Sequence, residues 1–295
     1  MPPLRKVAGR LVRSNPLTRD AFVLLKRRGV QRSPHVNLYH CCTQKTASQW
    51  FRRIFSSDLF FRSTGLLMVP YRGIDDGAGG VGLNRARITE AFPKHTMVTH
   101  LYVDHPTYAA IPKPGSHKSF FVMRDPRDIV VSWYFHALSP TTAQLGPIPD
   151  MRRRLVGESF DEGMRYVIDT VIGFGTVDAQ MSWLRATPDP AVAIFRYEDL
   201  AADNRAFLAR LFAHLDIGMP DGDFDRLVDR FAFHRLSGGR TAGEEDPQSH
   251  YRKGVPGDWR NYFDADLERY FRAAAGDALD ILGYASRPEV SRPIR

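Results

Sequence analysis

Residues 36–55, VNLYHCCTQKTASQWFRRIF, decide the fold. Val36–Cys42 is a short apolar run of strand length, and Ser48–Phe55 has the spacing of a helix. Between them lies a polar turn. A strand that feeds a turn and then a helix leaves backbone N–H groups exposed at the helix start, where anions bind. Lys45 adds a positive charge, Thr46 and Ser48 add hydroxyl donors, and Trp50 offers a flat face to a base. The same stretch also reads as a plain strand–turn–helix with a solvated lysine. It lacks the GxxxxGK[ST] spacing of a Walker loop.

Working outward, the pattern repeats. Met97–Leu101, Ser119–Met123 and Ala191–Phe195 read as further strands. Asp125-Pro126 is a helix start, with Asp at the N-cap and Pro at the first helical position, and the helix runs to about Leu138. A long helical region covers 158–186, and Leu200–Leu215 is helical with an apolar inner side. Such alternation predicts an α/β protein with a parallel sheet covered by helices. Residues 65–87 carry Gly73, Gly77, Gly79, Gly80 and Gly82, so they are read as a loop.

Charge divides the 295 residues unevenly. Residues 1–34 hold nine Lys or Arg against one acid, Asp20, which accounts for the whole net charge of +8. The remainder is balanced, unlike a surface that tracks a nucleic-acid backbone. We therefore divide the chain into a basic arm, 1–34, and one domain, 35–295, and expect no nucleic-acid partner. Leu4, Val7, Ala8, Leu11 and Val12 share one helical face in the arm. That face suits either peripheral membrane contact or packing on the body. No apolar run is long enough to span a bilayer, and no secretory leader is expected. The two cysteines, Cys41 and Cys42, are sequence neighbours and form no disulfide framework, which fits a cytoplasmic protein.

Two more segments carry chemistry. In FVMRDPRDIVVSWY (121–134), Arg124 ends a strand at the edge where open α/β sheets place ligands, and its guanidinium suits phosphate. Ser132 adds a hydroxyl two turns later. The structural alternative pairs Arg124 with Asp125 or Asp128. In YRKGVPGDWRNYF (251–263), Arg252 and Lys253 precede Gly254, so side chains and backbone can approach an anion together.

These segments, in this order, resemble the cytosolic-type sulfotransferase family over roughly residues 36–265. Lys45–Trp50 is similar to its 5'-phosphosulfate loop, Pro-Lys-Ser/Thr-Gly-Thr-Thr-Trp. Arg124–Ser132 resembles its 3'-phosphate element. Arg252-Lys253-Gly254 with Gly257-Asp258-Trp259 resembles its Arg-Lys-Gly-x-x-Gly-Asp-Trp signature, the most specific of the three. Thr99-His100-Leu101 and Tyr197-Glu198-Asp199-Leu200 match two shorter family segments.

The resemblance implies a P-loop-like three-layer fold and 3'-phosphoadenosine-5'-phosphosulfate as donor, with no metal. By the same resemblance, Lys45 stabilises the departing bridging oxygen, and the 46–49 backbone (Thr46, Ala47, Ser48, Gln49) with the Ser48 hydroxyl holds the 5'-phosphate. Trp50 and Phe233 sandwich the adenine, with Tyr197 nearby. Arg124, Ser132, Arg252 and Lys253 bind the 3'-phosphate, and Gly254 belongs to the same donor site. His100 takes the acceptor proton, a task suited to an imidazole near neutral pH.

Several positions depart from the family pattern. Gln44 replaces the loop proline, Ala47 the glycine, Gln49 the second threonine, and Val98 a lysine before the Thr-His pair, which Lys94 or His95 could replace. A small-molecule or lipid-like acceptor is expected, held by loops within 60–90, 136–157 and 237–250. Two other readings remain at this stage: a P-loop kinase-like phosphotransferase, and a non-catalytic binder of bisphosphorylated adenosine nucleotides.

Overall fold

Strand β1 (Asn37–Cys42) is buried along its whole length, the polar Asn37 and His40 included, as the central strand of a parallel sheet covered on both faces must be. The computed structural model describes residues 30–70, 83, 88–140, 147–249 and 251–285. β1 pairs in parallel with β3 (Thr96–Tyr102) on one side and β4 (His117–Met123) on the other. β2 (Leu67–Pro70) extends the sheet beyond β3, and β5 (Val192–Arg196) extends it beyond β4. The order is therefore β2-β3-β1-β4-β5.

Helices cover both faces. On one, α1 (Ser48–Phe55), α2 (Asp58–Thr64), α9 (Asn204–His214) and α10 (Asp221–Arg230) bury Phe51, Ile54, Phe60, Phe207 and Leu211 against Leu38, Met97 and Phe120, with Leu236 of the short α11 (Phe233–Leu236) packed against them. On the other, α3 (His105–Ala109), α7 (Thr176–Arg185) and α13 (Ala278–Ile281) pack Tyr108, Trp183 and Ala278 on Tyr39, Val98 and Phe121. A third apolar cluster joins α4 (Pro126–Leu138), α5 (Ile148–Gly157), α6 (Phe160–Gly173) and α12 (Ala265–Ala275). This is the three-layer α/β architecture that the strand–helix alternation predicts.

Differences from the sequence reading are local. Leu67–Pro70, read as loop, is the edge strand β2, because parallel pairing with β3 outweighs the weak pattern of four residues. The region 158–186 is two helices. The chain breaks at Gly175, whose φ of 74° a helix cannot contain. Residues 200–215 likewise divide into α8 (Tyr197–Ala202) and α9, because the Asp203 carboxylate accepts from Ala206 N and starts a new helix. The loops assigned to the acceptor include regular structure, α2 and β2 in the first and α5 in the second. The amphipathic face of the arm, and residues 71–82 and 84–87 of the glycine-rich stretch, lie outside the described residues.

Candidate active site

The carboxyl edge of the sheet gathers the chemistry. Lys45 follows β1, His100 sits near the end of β3, Arg124 follows β4, and Tyr197 follows β5. In a parallel sheet all strands end on one edge, so residues far apart in sequence meet there.

A cavity of about 400 Å³ opens at this edge. Lys45, Ala47, Ser48, Gln49, Trp50, Arg124, Ser132, Tyr197, Phe233, Arg252, Lys253 and Gly254 all line it. The loop that enters α1 is strained: Lys45 has φ 66° and Ala47 φ 64°, both in the left-handed region. Trp50 Nε1 donates to the Phe231 carbonyl at 2.8 Å, which ties α1 to the segment carrying Phe233. The Lys45 ammonium lies 4.9 Å from the centre of the Trp133 ring. Burial, and then the nearby Arg124 charge, hold its pKa well below the ordinary lysine value.

Arg124 reconciles its two readings. One guanidinium nitrogen donates to the Lys45 carbonyl at 2.9 Å, another stands 3.9 Å from Asp128, and the plane lies over the Tyr197 ring at 4.1 Å. Its buried Nε has no hydrogen-bond partner among the described residues. Asp125 instead takes Arg127, through two bonds of 3.0 and 2.8 Å. The Glu198 carboxylate accepts from Asp125 N and from the Tyr284 hydroxyl, so the Tyr-Glu-Asp-Leu segment braces the base of Arg124.

The basic turn is held from behind. Asp258, 3% exposed, accepts from Lys253 at 2.5 Å, from Asn261 at 2.8 Å and from Arg252. Burial alone would raise its pKa. The bonds from Lys253 and Arg252 outweigh burial and keep the carboxyl below its usual range. Glu245, from the preceding loop, also pairs with Arg252 at 2.5 Å. Asp128 accepts from Gly257 N at 2.7 Å and from Trp259 N at 2.9 Å, which docks the Gly-Asp-Trp segment on α4. Gly254, φ 71°, passes so close to Phe233 that a Cβ would stand 2.3 Å from the ring.

Two expected site residues lie outside the cavity lining. The Thr46 side chain is fully buried and donates to the Thr43 carbonyl at 2.8 Å, so it stabilises the turn and only its backbone remains for a ligand. His100 reaches the site indirectly. Its ring lies 5.7 Å from that of Tyr102, whose hydroxyl shares a 3.0 Å hydrogen bond with Ser48. Val98 points into the core on the far face of the sheet. Lys94 and His95 precede β3, at the sheet edge opposite Lys45, so neither replaces the family lysine.

Sequence reasoning missed Gln180, Arg127, Tyr251 and Leu236. Gln180 Oε1 accepts from Arg124 N at 2.7 Å, and Arg127 stacks over Trp259 at 3.6 Å. Tyr251 and Leu236 line the cavity. The second basic residue of Arg-Asp-Pro-Arg-Asp was the available signal for Arg127. Gln180 lies 56 residues from its partner and gave none.

A sulfotransferase domain profile matches residues 30–283. The chain is 29% identical to cytosolic sulfotransferase 10 of Arabidopsis thaliana over 181 residues, 57% of this chain and 51% of that protein. It is 26% identical to sulfotransferase 6B1 of Danio rerio over 180 residues, 58% of this chain and 54% of that protein. The aligned part thus spans about half the length of these relatives. Among solved structures, mouse sulfotransferase SULT7A1 complexed with PAP superposes with a TM-score of 0.56 at 16% identity, covering 89% of this chain and 93% of that one. Retinol dehydratase in a complex with retinol and PAP gives 0.52 at 18% identity, covering 86% and 85%. At these identities the likeness is one of fold.

Proposed function

This chain belongs to the sulfotransferase domain family, and on that premise we propose that it transfers a sulfonate group from 3'-phosphoadenosine-5'-phosphosulfate to a hydroxyl or amine of a small-molecule or lipid-like acceptor. One observation carries the reading: a lysine turn and two separate basic segments line a single cavity together with aromatic faces. A nucleotide with phosphates at both ends of its sugar needs that set of groups. The cavity lining fits it chemically. Cationic groups flank Trp50 and Phe233, and the buried Arg124 Nε still has donor capacity.

When bound, the donor supplies an activated sulfonate whose S–O bond to the phosphate breaks as the acceptor oxygen or nitrogen attacks sulfur. The protein's residues do the rest. Backbone and Ser48 hydroxyl at the start of α1 hold the 5'-phosphate. Lys45 stabilises the negative charge that builds on the bridging oxygen. Arg124, Ser132, Arg252 and Lys253 hold the 3'-phosphate. Trp50 and Phe233 take the adenine. His100 accepts the acceptor proton. Cytoplasmic residence is part of the same proposal; the basic arm, 1–34, fits either peripheral membrane contact or packing on the body, and vesicle binding with and without it decides between them. Among the described residues no helix is long and apolar enough to cross a membrane.

Calorimetric titration tests the donor. Binding of 3',5'-bisphosphoadenosine well above that of ATP is expected, and equal affinities would favour a kinase-like site. A screen of acceptors with labelled donor then tests transfer. Lys45→Ala and His100→Ala should each abolish turnover while the protein stays folded. Near-normal rates in either would remove that residue's role.

A further inference from the structure

His40 lies mid-way along β1 with none of its side chain exposed. Its ring stacks on Phe120 at 4.7 Å and tilts against Phe51 at 4.6 Å. An imidazole in such surroundings is costly unless hydrogen bonds compensate. Here compensation is partial. Nδ1 shares a 2.9 Å bond with the Thr99 hydroxyl, and Nε2 has no partner among the described residues. An aliphatic residue would fill the same core position without that cost.

The partner explains the choice. β1 and β3 lose register at this point: Tyr39 faces Val98, and Cys41 faces Leu101. His40 therefore stands opposite two residues, Thr99 and His100, which is a bulge, rare in a parallel pair. Side-chain alternation shows which residue is extra. Met97 and Thr99 face the α1 side, and Tyr102 meets Ser48 there. Val98, Leu101 and Val103 pack on the opposite face. His100 is left over, and its φ of 47° places it in the left-handed region that a non-glycine residue seldom adopts.

We propose that His40 is a positioning residue for His100, its Nδ1 bond to Thr99 pinning the bulge that turns His100 out of the strand alternation toward Tyr102 and the donor loop. The proposal rests on the reading of His100 as the base. His40 cannot take that role itself, because it is sealed in the core. Burial, and then the proximity of His100, hold its pKa well below the ordinary imidazole value, so it stays neutral. A neutral ring with one nitrogen engaged is a fixed strut.

The test uses the full-length chain and three variants: His40→Leu, Thr99→Val, and Thr99→Ser, which keeps the hydroxyl. At fixed pH, the His100 ring resonances are assigned from a His100→Gln spectrum. Affinity for 3',5'-bisphosphoadenosine, thermal midpoint and turnover are measured alongside. His40→Leu and Thr99→Val should move the His100 resonances and lower turnover on the order of tenfold, with nucleotide affinity unchanged. Thr99→Ser should stay close to wild type. His40→Leu leaves the fully buried Thr99 hydroxyl without its partner, so its midpoint should fall. A core-filling role predicts that lower midpoint as well, but with His100 resonances and turnover unmoved. That result would overturn the proposal, as would equal behaviour of Thr99→Val and Thr99→Ser. If His40→Leu does not fold, the Thr99 pair decides. Should His100→Gln retain turnover, the base assignment fails, and the ring resonances still report separately on the clamp.

Discussion

Replacing Gly254 by alanine places two costs on one atom. The backbone there has φ 71°, which costs an L-residue about 1–2 kcal/mol. The new Cβ would also stand 2.3 Å from Cε2, 2.5 Å from Cδ2 and 2.9 Å from Cζ of Phe233. Carbon contacts settle near ~3.5–4.0 Å, so the ring or the turn must retreat by about 1 Å. Overpacking of this kind costs ~1–3 kcal/mol. Both residues line the nucleotide cavity, so the strain falls on the binding geometry. Part of it relaxes through the polar loop that precedes the turn. An affinity loss of about tenfold to a hundredfold for 3',5'-bisphosphoadenosine is expected, or ~1.4–2.8 kcal/mol. Calorimetry on a double-mutant cycle isolates the cause. Phe233→Ala alone loses base stacking, about 1–3 kcal/mol. In that background Gly254→Ala keeps only its backbone cost, so the two changes should be non-additive by about 1 kcal/mol or more. A dissociation constant within twofold of wild type, or additivity within ~0.3 kcal/mol, would refute the reasoning.

Three further outcomes are expected. Ala47→Gly relieves a left-handed alanine, worth ~1–2 kcal/mol, against ~0.4–1 kcal/mol of added unfolded-chain freedom. The thermal midpoint should therefore hold or rise by a few degrees, and a clear fall would contradict the backbone at Ala47. Asp128→Asn leaves a backbone N–H of Gly257 or Trp259 facing an amide N–H, a loss of ~1–3 kcal/mol; differential scanning should show a lower midpoint, and an unchanged one would show that the Gly-Asp-Trp segment is held otherwise. Lys45, depressed in the free protein, binds fewer protons than in the unfolded chain between its folded and unfolded pKa values, so its contribution makes stability rise with pH across that window. Phosphates drawing its pKa back up should make nucleotide binding take up a proton at alkaline pH. Calorimetry in buffers of different ionisation enthalpy reads this uptake, and its persistence in Lys45→Met would assign the proton elsewhere.

Much of the fold was legible because strand–helix alternation is a strong signal when the strands are buried on both faces. β1, β4 and α4 each have such signals: apolar runs for the strands and an Asp-Pro start for the helix. β2 was not legible, since four residues at a sheet edge owe their conformation to β3. Nor were the breaks at Gly175 and Asp203, where a single cap or backbone angle divides a continuous helical pattern. At the site, charged and aromatic residues in motifs announced themselves. Gln180 did not, because pairing across 56 residues leaves no local trace; Asp258 stood in the signature, but that its carboxylate holds Arg252 and Lys253 was not read from it. Thr46 illustrates the reverse error: a hydroxyl beside a phosphate-type lysine suggests a ligand contact, yet the turn consumes it internally. The His100 bulge was invisible for a similar reason, since only register against β1 reveals the extra residue.

A crystal structure grown with 3',5'-bisphosphoadenosine examines the shared cradle most directly. The account predicts the 5'-phosphate on the 46–49 turn beside Lys45, the 3'-phosphate between Arg124, Ser132 and Arg252, and the adenine between Trp50 and Phe233. A nucleotide bound away from this cavity, or spanning it with its 3'-phosphate clear of both arginines, would contradict it.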